Sequence, residues 1–203
     1  MRYVLMRMLP LVALLTAAAG CATVPPRTDV QQQQIAPSPV YVEAQKYFLS
    51  RDFENAAKQF AASIAEHPRS PSVPEAHYWI GMCRLNQKRY ADAEDAFRNC
   101  QAGKPSETLD LKAWTGIAIA YQHSAKYGAA AKIYERVLQS GNRYVERDLI
   151  AYNRGVCLLK SGDSAGGKAA LQQVVRDYPQ SQWAEAAKDI LKPGAAGSAP
   201  KKR

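Results

Sequence analysis

Histidines, cysteines and carboxylates are the side chains here best equipped for chemistry, and their spacing assigns them little of it. The three histidines, His67, His77 and His123, stand in no metal-ligand spacing with one another or with a cysteine. His67 precedes Pro68, a place where a cation suits the carbonyl end of a helix. His77 and His123 fall on helical stretches as surface or groove residues. Gly162, Gly166 and Gly167 read as a loosened turn, since no strand leads into them as a phosphate cradle requires. Carboxylates are scattered along solvated faces without a converging pair. This pattern predicts no enzymatic activity, no metal, no cofactor and no small-molecule substrate. Net charge is +9, which suits anionic surfaces such as phospholipid headgroups, lipopolysaccharide or acidic proteins. No basic stripe is interleaved with stacking aromatics, so nucleic acid is not an expected partner.

The cysteines divide into two kinds. Cys21 follows residues 1–20, where Arg2 and Arg7 give a positive start and Leu9 to Ala19 an apolar core. That core is shorter than the roughly 20 apolar residues a bilayer span needs, and it reads as a signal peptide. Without Arg2 and Arg7 the chain keeps 25 basic against 18 acidic residues, a balance of +7. Ala18-Ala19-Gly20-Cys21 resembles the bacterial lipobox, with Ala18 where a large aliphatic is usual. The resemblance implies lipidation of Cys21. An ordinary signal peptide cut after Ala19 or Gly20 is the alternative. Several acyl chains, each contributing about 0.8 kcal/mol per buried methylene, hold a protein on a membrane stably. Ala22 follows, with no Asp there, and the same resemblance then implies sorting to the outer membrane, facing the periplasm. Residues 21–39 carry Pro25, Pro26, Gln31 to Gln34, Pro37 and Pro39 and are expected to be a flexible tether. Cys83, Cys100 and Cys157 lie further on. Counted outward from the turn near Lys88, Cys83 and Cys100 are offset by roughly two helical turns less a fraction along two paired helices. A disulfide needs its alpha carbons within about 7 Å in total, so buried, reduced thiols are expected.

The elements that position these residues recur with a period of 37 over residues 40–192. Ala44, Gly81, Ala118 and Gly155 align. Three further rows follow without a gap: Phe53, Tyr90, Tyr127, Ser164; Ala56, Ala93, Ala130, Gly167; Phe60, Phe97, Tyr134, Leu171. A last row reads Pro68, Pro105, Asn142, Pro179. Within each copy apolar residues recur at steps of three and four, as in Tyr127, Ala130, Ala131, Tyr134, Val137 and Leu138, which argues for helices. The pattern predicts a helical hairpin repeated four times. Small residues let paired helices approach, aromatics fill the wedge between hairpins, and proline ends each second helix. Arg51-Asp52, Lys88-Arg89 and Gly162-Asp163 mark the turns inside hairpins. Residues 182–191, with Trp183, Ala187, Ile190 and Leu191, continue as a capping helix. Residues 193–203, ending in Lys201, Lys202 and Arg203, read as a disordered basic tail.

Small, aromatic, alanine, aromatic, proline, in that order and spacing, resembles the tetratricopeptide repeat, and Trp114 falls where that family favours tryptophan. The resemblance implies an all-α fold, a right-handed α-solenoid of about four hairpins and a cap. The segments from His67-Pro68-Arg69-Ser70-Pro71 to Gly81, and from Asp177-Tyr178-Pro179-Gln180-Ser181 to Ala186, look like an envelope branch of the family. That branch holds the outer-membrane assembly lipoprotein and the Tol–Pal-associated division coordinator. In the family the first helices line a concave groove. Carried over row by row, the groove presents Tyr41, Gln45, Phe48 and Leu49, then Glu75, Tyr78, Met82, Leu85 and Asn86. The third copy supplies Lys112, Thr115, Ile119, Gln122 and His123, and the fourth Leu149, Tyr152, Val156, Leu159 and Lys160. Such a surface would suit a polypeptide segment of a partner, with Lys112, His123 and Lys160 favouring an acidic one.

The expected function is therefore a lipid-anchored, periplasmic scaffold for envelope proteins in biogenesis, division or secretion. The narrower alternatives are a lipoprotein of the β-barrel assembly machine, a module acting on peptidoglycan, and a pilus or secretion-system assembly lipoprotein.

Overall fold

In the computed structural model, residues 38–143 and 145–192 are described, and the expected signal peptide, Cys21, most of the tether and the basic tail lie outside them. The described residues form α1 Pro39–Leu49, α2 Phe53–Glu66, α3 Val73–Asn86, α4 Tyr90–Ala102, α5 Glu107–His123, α6 Tyr127–Gln139, α7 Arg147–Lys160, α8 Ser164–Asp177 and α9 Gln182–Leu191. Ser38 caps α1, its hydroxyl accepting from Tyr41 N–H, and Pro39 is the first helical residue. The helix thus begins inside the stretch read as tether.

Each helix packs on the next in sequence, which gives four hairpins and a terminal α9. In addition α3 packs on α5 and α7 on α9, whereas no two second helices meet to that extent. At these two junctions the first helices lie closer together than the second helices do, which curves the layer with the first helices inside. This is an α-solenoid.

The repeat extends to single backbone angles. Inside the hairpins the chain turns on Arg51, Lys88, Ala125 and Gly162, at φ 63°, 60°, 59° and 96°, each 37 residues after the last. The next residue closes the turn by donating its N–H five residues back: Asp52 to Tyr47, Arg89 to Arg84, Lys126 to Tyr121 and Asp163 to Leu158, at 2.9, 2.9, 2.8 and 3.0 Å. That same residue caps the second helix. The Asp52 carboxylate accepts from Asn55 N–H at 3.2 Å and that of Asp163 from Gly166 N–H at 2.8 Å. Arg89 and Lys126 have no side-chain acceptor to offer there. Lys126→Asn is accordingly expected to raise the unfolding free energy by about 0.5–1 kcal/mol in urea melts, a capping gain less the Lys126–Tyr121 cation–π contact. Gly166 and Gly167, read from sequence as part of a loosened turn, instead lie in α8. A side chain at Gly167 would meet Leu159 of α7 at 2.6 Å, so the glycine is there to let the pair close.

The second aromatic row is the spine of the core. Phe60, Phe97, Tyr134 and Leu171 are fully buried. Phe60 stacks on Trp79 of the next hairpin at 6.4 Å, and meets Tyr41 edge-on at 5.2 Å. Phe97 lies between two glycines, Gly81 of its own hairpin and Gly116 of the next. Second-helix carboxylates tie the seams. Glu54 accepts from Arg84 at 2.9 Å and Gln87 at 3.0 Å, Glu94 from Tyr121 at 2.7 Å, and Glu135 pairs with Arg154. At the end, Ala184 and Ala187 are buried on hairpin four and Trp183 covers Tyr152 at 5.1 Å.

Candidate functional site on the first-helix face

The inner face is assembled from side chains at steps of three and four along α1, α3, α5 and α7, of which α3 and α5 pack on one another. The residues expected to line it divide into three groups.

The first group has gone into the core. Tyr41 is 4% exposed and Tyr152 8%, because the aromatic ring at this step packs inward, on Phe60 of its own hairpin and on Trp183 of α9 respectively. Neither is a groove residue, and this corrects the expectation from sequence. Gln122 faces inward too, its carbonyl accepting from the Tyr134 hydroxyl at 3.1 Å and the Cys157 thiol at 3.4 Å. Thr115 is half-buried and its hydroxyl donates to Leu111 O.

The second group is half-buried and offers apolar area. Gln45, Phe48, Tyr78, Met82, Leu85, Ile119, Leu149, Val156 and Leu159 belong here. Phe48 is wedged against Phe53 at 5.5 Å and Trp79 at 5.0 Å, and Tyr78 touches Trp79 at 5.4 Å and Phe97 at 5.7 Å.

The third group is exposed: Leu49, Glu75, Asn86, Lys112, His123 and Lys160. Leu49, 81% exposed, is an apolar side chain left in water. Asn86, His123 and Lys160 share an arrangement invisible in any one row. His123 stacks on Tyr90 of the preceding hairpin at 5.2 Å and 5°, and the Lys160 ammonium sits 5.2 Å over Tyr127. Asn86 lines one surface hollow with Phe53. At α4 and α6 the aromatic that starts the second helix is thus roofed by the polar end of the next first helix. The signal was available as two rows of period 37 offset by 33 residues, but only contact shows that they meet.

No group of three His, Cys, Asp or Glu side chains converges as for a metal among the described residues, and none of their helices is long and apolar enough to cross a membrane. Cys83, Cys100 and Cys157 are free and fully buried. Burial pushes the Cys83 and Cys100 thiols up to about 12 and that of Cys157 to about 11, which leaves little thiolate near neutral pH. All three are expected to resist Ellman's reagent in the native protein and to react once it is denatured without reductant. Fewer than three reactive thiols among them would contradict this. His77 is half-buried and burial lowers its basicity.

Residues 41–107 match a tetratricopeptide-repeat family model, and residues 151–181 match a second one. The structure is similar to that of a tetratricopeptide repeat protein from Parabacteroides merdae ATCC 43184, with a TM-score of 0.64 at 16% identity. The likeness covers 75% of this chain and 57% of that one, and it is a likeness of fold. No curated protein sequence matches the chain.

Proposed function

We propose that this array of tetratricopeptide repeats is a scaffold of the bacterial cell envelope, anchored by lipid on Cys21 to the outer membrane and binding partner polypeptides along its first-helix face. The observation that carries the binding reading is the inner face itself. Phe48, Tyr78, Met82, Ile119 and Val156 are half-buried along the first helices, and aromatic and methionine side chains are adaptable anchors for another chain. Lys112, His123 and Lys160 stand exposed on the same face, and they favour a partner with carboxylates toward hairpins three and four. The envelope reading rests on residues 1–22, where an apolar core is followed by Ala18-Ala19-Gly20-Cys21.

Two measurements test the parts separately. A photoreactive amino acid at Tyr78 or Met82, in cells, should capture a partner that the same residue at Asn99 on the outer helix α4 does not. Capture at Asn99 alone would overturn the groove. Metabolic labelling with palmitate should mark the chain and be abolished in Cys21→Ser; an unlabelled wild-type chain would overturn the anchor.

A further inference from the structure

The row Leu49, Asn86, His123, Lys160 stands at the end of each first helix, and its members do not act alike. His123 lies flat on the Tyr90 ring of the preceding hairpin at 5.2 Å and 5°, and the Lys160 ammonium sits 5.2 Å over Tyr127. Asn86 stands in the same register to Phe53, but its side-chain amide donates to Met82 O of its own helix at 2.8 Å. Phe48 meets Phe53 edge-on at 5.5 Å and 69°. Among the described residues no other ring, and no cation, is stacked on Phe53.

At this first junction the structure holds an open hollow of about 350 Å³, lined by Phe48, Leu49, Arg51, Phe53 and Asn86. Its size falls within the range of clefts that take small organic groups. Leu49 has no earlier second helix to cover among the described residues, and it stays 81% exposed at the rim. Arg51, on the left-handed turn at φ 63°, is exposed and has no ion-pair partner among the described residues. An apolar floor, an apolar rim and an unpaired guanidinium thus meet at one end of the inner face. The two filled junctions show which shapes fit over such an aromatic: a flat ring or a cation. A second cation here would meet Arg51 as a like charge. A flat uncharged ring suits the place, and a carboxylate beside it would answer Arg51.

We infer that the hollow of Phe48, Leu49, Phe53 and Asn86 receives an aromatic side chain of the partner polypeptide, with a neighbouring carboxylate of that partner on Arg51. This rests on the first-helix face being the binding groove, and it names an anchor at one end of it. The incoming ring lies on Phe53 as His123 lies on Tyr90 at the next junction, and it takes Leu49 out of water. Ring pairs of this kind attract beyond the area they bury, and aromatic anchors in pockets carry much of the affinity at protein interfaces.

The test is a display selection of random peptides on the full chain, with recovered peptides measured by fluorescence anisotropy. Recovered peptides should share an aromatic residue beside an aspartate or glutamate. Asn86→His should set an imidazole on Phe53 and so fill the hollow, weakening the peptides about tenfold with thermal stability unchanged or raised. Leu49→Ser should weaken them about threefold with unchanged circular dichroism, because Leu49 is exposed. Arg51→Gln should weaken them about threefold, and not at all once the peptide's acid is changed to its amide. Changing the peptide's aromatic to alanine should cost about tenfold against the native chain and little against Asn86→His. Peptides that lose binding in Met82→Asp or Ile119→Asp but ignore Leu49→Ser and Asn86→His would overturn this subsite and leave the groove standing. Peptides indifferent to all four of these variants, or no enrichment over bare support, would overturn both.

Discussion

Phe97→Ala is expected to remove about 3–5 kcal/mol from the unfolding free energy, the range found when a buried aromatic is cut back to alanine. The ring is fully buried and touches Tyr78 at 5.7 Å, and on the sides of Gly81 and Gly116 it faces backbone, with no side chain there to relax into the space. Backbone of two helices cannot collapse into the cavity as a leucine would, so the upper part of that range applies. A domain of this size is stable by about 5–15 kcal/mol in all, and an effect this large takes up a substantial share of it. In a thermal melt the drop should exceed about 6 °C, at 2–4 °C per kcal/mol. Because each repeat touches only its neighbours, the loss falls on the junction of hairpins two and three and should broaden the transition as well. A change below about 1.5 kcal/mol would mean that the ring is not the wedge described.

The second large effect is the complement of the first. A Cβ at Gly81 would stand 2.6 Å from the Phe97 ring, and one at Gly116 closer still. Gly116→Ala therefore forces the ring or α5 to move, and overpacking of this kind costs about 1–3 kcal/mol. In an open helix the same substitution would gain up to about 1 kcal/mol, so the net loss should be about 1–2 kcal/mol. The informative measurement is a double-mutant cycle. In Phe97→Ala the ring is gone and the added methyl meets empty space, so Gly116→Ala should there become neutral or stabilising. That reversal of sign gives a coupling of more than about 1 kcal/mol, beyond what separate sites show. Additive losses would place the strain elsewhere than between Gly116 and Phe97.

The groove shows where inference along the chain reaches its limit. Rows of equal spacing mark equivalent positions but not equal exposure, because what packs against each position differs from copy to copy. At one step of the repeat stand Tyr41, Tyr78, Thr115 and Tyr152. Tyr41 and Tyr152 are buried by Phe60 and Trp183, Tyr78 is half-buried, and Thr115 turns to its own helix backbone. Burial is a property of what lies across the interface, and that comes from residues tens of positions away.

What the sequence alone determined is whatever depends on local or periodic physics. Apolar spacing at three and four residues makes helices, prolines at Pro68, Pro105 and Pro179 end them, and a period of 37 repeats the hairpin. Two further features are local in cause yet needed coordinates to be seen: the left-handed turn at Arg51, Lys88, Ala125 and Gly162, and the N-caps that follow it. Three of those four turn residues carry a side chain, so no glycine announced the conformation. Only the tertiary structure decided which chemically capable residues remain without a partner. It bonded Glu54 and Glu94 across the seams, spent Tyr41 and Tyr152 on the core, and left Lys112 and Lys160 exposed. The reason is that pairing and exposure are set by distances between hairpins, and those depend on which small residue faces which ring, as Gly116 faces Phe97.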